Sequence, residues 1–186
     1  MLLAMKALYT SLFFLFFTAL SAQDLPYRSI PDVPEGLYAQ QAMARMVDGL
    51  GFRFYWASES LRPEDLAFGP EGEGRNVMQT IQHIYGLSVF TMTSLDKTFE
   101  APKAADTYEE LRTQTLHLIK AISDKLQRMD NASLQKVEVN GLPFWYLING
   151  PIADAIYHTG QIVLLRRMSG NPTNPKVSVL RGVVGN

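Results

Sequence analysis

Cysteine is absent from the chain, which excludes disulfides, a thiolate nucleophile and lipid attachment through an N-terminal cysteine. Any thiol chemistry must therefore arrive with a substrate. Histidine is scarce: His83, His117 and His158 are the three present, so a metal or acid–base site has few imidazoles to draw on. Charge of one sign is never concentrated. The 17 Lys and Arg are scattered against 18 Asp and Glu, and without a basic block nucleic acid is not an expected partner. There is also no internal repeat and no low-complexity tract.

An address is written at the N-terminus. One cation, Lys6, precedes an apolar run from Ala7 to Leu20 that contains Phe13, Phe14, Phe16 and Phe17, and Ala19-Leu20-Ser21 offers the small-x-small pattern of a cleavage site. At 14 residues the run falls short of the ~20 that a spanning helix needs, so residues 1–22 read as a signal peptide rather than a stable membrane anchor. The expected location is exported, periplasmic or extracellular. Cutting after residue 22 leaves 164 residues, with 16 basic groups against 18 acidic, enough for one domain with a proper core.

Hydrophobic periodicity predicts an all-α domain. Residues 23–35 carry Pro26, Pro31 and Pro34 and read as an extended lead-in without a site. From Gly36 to Leu61, the side chains Met43, Val47, Leu50, Phe54, Ala57 and Leu61 recur every three or four positions, with Gly49 and Gly51 as local weak points and Pro63 as the stop. A second helix spans Asn76 to Leu95. It is apolar on two sides, Val77-Ile81-Ile84-Ser88 on one and His83-Leu87-Phe90 nearly opposite, as expected of an element wedged between neighbours. A third covers Thr107 to Met129. The turn signal Asn140-Gly141 after Val137-Glu138-Val139 predicts a short hairpin. The fourth helix starts with Gly150 near its N-cap and Pro151 in its first turn, and stops at Gly170. The economical architecture is a four-helix bundle over 36–172, with a long connection before the fourth helix and a tail, 173–186, that either packs or stays loose.

Asp154 and His158 lie four residues apart, one helical turn, so both point the same way, and Gln161, Leu165 and Met168 continue the stripe as an inward face. If the second and fourth helices are neighbours, His83, Asp154 and His158 can close on one divalent ion, leaving positions for water and substrate. Two imidazoles and a carboxylate suit Zn, Ni, Fe(II) or Mn. Such an ion lowers the pKa of a bound water or thiol. Each residue also has a plainer reading: Asp154 as a charge complementing a helix start, the histidines as hydrogen-bonded core residues. His117 falls on the solvent side. Phe144, Trp145 and Tyr146 either line a substrate pocket or cover the core, and Tyr157 is a further candidate for contact with substrate. Arg166 and Arg167 read first as hydrated cations complementing the helix C-terminus and only second as receptors for an anionic substrate.

Asp154-x-x-x-His158-x-Gly160-Gln161, together with His83 and Leu61-Arg62-Pro63-Glu64-Asp65-Leu66, resembles the DinB-like superfamily, which includes YfiT-like proteins; the resemblance extends over nearly all of the chain after residue 22. It implies a four-helix bundle in which a histidine on the second helix and a His-x-x-x-His pair on the fourth bind a divalent metal, followed by Gly-Gln. His83, His158, Gly160 and Gln161 match, while Asp154 stands where the first histidine of the pair is expected. Thiol-dependent S-transferases and isomerases occur in the family, which implies a small-molecule substrate with a low-molecular-weight thiol, and a homodimer is compatible with it. A metal-dependent transferase or hydrolase, with Gln161 behind the ligands or in contact with substrate, is therefore the leading expectation. The alternatives are a non-catalytic bundle that binds a small ligand or partner near Trp145, and a metal buffer.

Overall fold

The computed structural model describes residues 24–33, 36 and 38–185. The signal-peptide reading of 1–22 lies outside them. Of the described residues 58% are helical, which agrees with the all-α expectation. Four long helices, α1 (Ala39–Ala57), α3 (Val77–Leu95), α4 (Tyr108–Arg128) and α7 (Ala153–Met168), pack in a closed ring in the order α1, α4, α3, α7. Between them lie two one-turn helices, α2 (Pro63–Ala67) and α5 (Asn131–Gln135), the shorter α6 (Trp145–Leu147), and a hairpin of β1 (Glu138–Val139) with β2 (Leu142–Pro143); a second hairpin, β3 (Val177–Ser178) with β4 (Val183–Val184), follows α7. No described helix is long and apolar enough to cross a membrane.

Side-chain bonds fix the directions of the four helices. At one end, buried Arg166 near the close of α7 donates to Trp56 O at 3.0 Å and Ala57 O at 2.9 Å, the last carbonyls of α1. Tyr108 at the start of α4 donates to Ser58 O at that same end. The start of α3 belongs there as well, since Val77 N bonds Phe68 O just after α2, and α2 is tied to the end of α7. At the other end, Lys125 of α4 pairs with Asp96 after α3 at 2.9 Å. Consequently α1 and α7 run one way, and α3 and α4 run the other.

Because α3 and α4 are parallel, residues 96–107 must return along a helix of about 28 Å. Twelve residues reach about 40 Å when extended, and Tyr85 pins the return by donating to Pro102 O at 2.6 Å. Periodicity gave no sign of this crossover. The long connection expected before the fourth helix is present too, and it holds the expected hairpin: Asn140 (φ 52°) and Gly141 (φ 78°) occupy the two left-handed positions of a tight turn.

Several local expectations need correction. The first helix ends at Ala57 rather than Leu61, since Ser60 adopts a left-handed φ of 55° that no helix continues through. The lead-in is anchored. Tyr27 is buried and donates to Asp48 Oδ1 at 3.1 Å inside the core, and burial pushes both the phenol and the carboxyl pKa upward. Gly51 is less a weak point than a necessity, since a Cβ there would lie 2.3 Å from the Tyr27 ring. The C-terminal tail packs as the β3–β4 hairpin and meets the lead-in through Ile30 N and Gly182 O at 2.8 Å. Arg166 is buried instead of hydrated, and Met168 is exposed; the inward face of α7 is Ala155, His158, Thr159, Ile162 and Arg166.

Asp65 joins α2 to α7. Fully buried, it accepts from Arg62 at 2.8 and 2.9 Å, from Ser169 Oγ at 2.6 Å and from Asn171 Nδ2 at 2.7 Å. The Arg62 guanidinium, ahead of the other donors, holds its carboxyl far below the usual carboxylate range. A depressed folded-state pKa contributes stability above the ordinary value of about 4 and loses it as pH falls below. Asp65→Asn should therefore destabilise the fold by on the order of 3 kcal/mol at neutral pH. Urea denaturation should show the gap to wild type narrowing below pH ~4. Gly51→Ala should cost about 1–3 kcal/mol by displacing Tyr27, and an unchanged melting temperature would contradict the docked lead-in.

Candidate metal centre

α3 and α7 lie side by side, and this brings His83 from the second turn of one against Asp154 and His158 at the start of the other. The entry into α7 sets their aim. After α6 the chain makes a wide π turn over Ile148–Ile152, broken at Gly150 (φ −89°, ψ −111°), and Pro151 follows where it gives up no needed amide. The expected helix start at Gly150-Pro151 is thus a kink between two helical segments, with Trp145 and Tyr146 in a helical turn instead of a loop.

His83 Nε2 lies 3.3 Å from Asp154 Oδ2, and His158 Nε2 lies 3.4 Å from Asp154 Oδ1. The two rings meet edge to face, with centroids 4.5 Å apart. One donor atom from each residue falls within 4.8 Å of the others, so the three form a group that could hold a metal ion. Ligands bonded at ~2.1 Å to one ion sit about 3.0–3.5 Å from each other, which is the spacing of the two His–Asp pairs. Burial is graded: the His158 side chain is 9% exposed, His83 29% and Asp154 43%, so the group is rooted in the core and open on the carboxylate side.

His158 Nδ1 lies 2.7 Å from Gln161 Oε1, a contact in which the ring donates when its proton is on Nδ1. That tautomer leaves the Nε2 lone pair facing Asp154 Oδ1 at 3.4 Å, the arrangement a shared cation would use. Fixing the distal nitrogen through a hydrogen bond on the other is the usual support for a metal-bound imidazole.

No family model, curated protein or solved structure matches the chain. The reading of the site therefore rests on its geometry.

The remaining candidates are dispersed. Tyr157 is exposed and sets its ring edge-on to His158 at 5.4 Å, beside the group but with no bond to it. Trp145 is 72% exposed and lines a separate groove of about 320 Å³ with Met43, Leu134, Phe144 and Ile148; none of the three metal-binding candidates borders it. Arg166 serves the end of α1, Arg167 is exposed, and His117 is exposed as expected. What the sequence did not disclose is the π turn; Asn149-Gly150-Pro151 was its only signal.

If Gln161 orients His158, Gln161→Leu should lower divalent-metal affinity about 10–100-fold in a competitive chelator titration, with little change in the melting temperature of metal-free protein. Unaltered affinity would mean that the Gln161 contact has no part in binding.

Proposed function

We propose that the protein is an exported DinB-like four-helix bundle that holds a divalent cation at His83, Asp154 and His158. On this reading it acts as a metal-dependent enzyme, of the thiol-dependent S-transferase or hydrolase type, on a small molecule. The observation that carries the proposal is the meeting of three donors from two helices, with the Nε2 of each histidine turned toward a carboxylate oxygen of Asp154.

The donor set fits such an ion: two neutral imidazoles and one carboxylate suit Zn, Ni, Fe(II) or Mn. When bound, the ion would supply Lewis acidity that favours the anionic form of a thiol or water at neutral pH. The chain's own residues have simpler tasks. Gln161 keeps the His158 proton on Nδ1, the kink at Gly150 points Asp154 and His158 at α3, and the buried side of His158 keeps water from the rear of the site. The open side at Asp154 leaves room for a small molecule. Because the chain has no cysteine, the thiol must be a co-substrate.

A second reading, a non-catalytic bundle that binds a small apolar ligand, draws support from the groove beside Trp145. Metal analysis separates the two. Tag-free protein should carry about one divalent ion per chain, chelation should lower its melting temperature, and His83→Ala, Asp154→Ala and His158→Ala should each lose the ion while remaining folded. Turnover that needs both the ion and an added thiol should disappear in the same three variants. Protein without stoichiometric metal, whose melting chelators do not change, would falsify the metal-centre reading.

A further inference from the structure

A cavity of about 530 Å³ opens at the end of the helix ring where α3 and α4 finish, lined by residues that the proposed metal centre does not use. Four cations border it from three stretches of chain: Lys97 after α3, Lys125 and Arg128 in the last turn of α4, and Lys136 after α5. Only one carboxylate, Glu138, is in the lining, although the whole chain is slightly acidic. Lys125 is partly neutralised by Asp96 at 2.9 Å, and Lys97 is held by Glu138 O at 3.3 Å. Among the described residues, Arg128 and Lys136 make no ion pair, and both are exposed.

Helix-dipole complementarity explains a cation near any one helix end. It does not explain why cations from separate segments gather around a shared recess with an apolar floor. That floor is Leu95 and Val137, both buried, with Met129 half-buried beside them. Ser133, whose backbone N donates to Asp130 Oδ1 at 2.8 Å, completes the wall. The volume lies within the ~300–1,000 Å³ typical of small-molecule sites. Unpaired guanidinium and ammonium groups above an apolar floor favour a ligand with a doubly charged oxyanion at one end and an apolar body at the other.

We propose that this cavity binds a phosphomonoester-like anion, with the phosphoryl group between Arg128 and Lys136 and the apolar body on Leu95, Met129 and Val137. This site is independent of the metal centre. The phosphomonoester can belong to a soluble small molecule or to the headgroup of phosphatidic acid, and the test distinguishes them.

Phenyl phosphate titrated into the full chain, followed by calorimetry and by amide chemical shifts, should saturate one site. It should bind more tightly than inorganic phosphate, which lacks the apolar body. Arg128→Gln and Lys136→Gln should each weaken binding about tenfold without changing the melting temperature, because both residues are exposed and unpaired. Glu138→Gln should tighten it by removing the like charge, and His158→Ala should leave it unchanged. Co-sedimentation with phosphatidic acid vesicles that is lost in the same two variants would identify the lipid as the source of the phosphoryl group; saturation by phenyl phosphate alone would identify a soluble one. The proposal is overturned if neither probe binds, if binding ignores Arg128→Gln and Lys136→Gln, or if it disappears with His158→Ala.

Discussion

His83 meets Asp154 and His158 only because α3 and α7 pack as antiparallel neighbours, and that pairing depends on how the ends of the helices are tied. Arg166 covers the final carbonyls of α1, and Asp65 joins α2 to the end of α7, so the start of α3 is held beside the end of α7. α3 and α7 then run in opposite directions and overlap so that the second turn of α3 lies against the first turns of α7. Buried charge thus performs a structural task here. A buried guanidinium each of whose three nitrogens donates to a carbonyl oxygen, of Trp56, Ala57 or Asn171, is tolerated, whereas an apolar replacement would leave the last carbonyls of α1 without that donor.

Much of this was legible in local sequence, and the rest was hidden for identifiable reasons. The stripe on α1, the Asn140-Gly141 turn and the i, i+4 pair Asp154/His158 are local signals, and each took the expected form. His83 was ambiguous because α3 is apolar on two sides; only its packing against both α4 and α7 shows that its second stripe faces α7. Arg166 misled because its acceptors lie about 110 residues away, at the end of another helix. Tyr27 misled for a similar reason. Nothing near it in sequence announces Asp48 as its partner or Gly51 as the gap that admits its ring.

Sequence rules describe the π turn before α7 half correctly. Gly150 and Pro151 do mark a helix start, as their chemistry requires, but the chain upstream is already helical. The result is a joint rather than an end. A joint lets Phe144 and Trp145 border a groove near α1 while Asp154 turns to α3. One continuous α-helix through Trp145 to Met168 would keep a regular ~100° step and could not set these two directions independently.

The aspartate also changes the electrostatics of the candidate centre. Three neutral imidazoles around a dication leave two net positive charges, whereas His83, His158 and the Asp154 carboxylate leave one. A less positive centre is a weaker Lewis acid, yet the carboxylate gives a divalent ion a charged anchor that imidazole cannot offer. The two Asp154 oxygens face the ring nitrogens of the two histidines separately, Oδ2 toward His83 at 3.3 Å and Oδ1 toward His158 at 3.4 Å, so one side chain from α7 spans the gap between an imidazole on its own helix and one on α3.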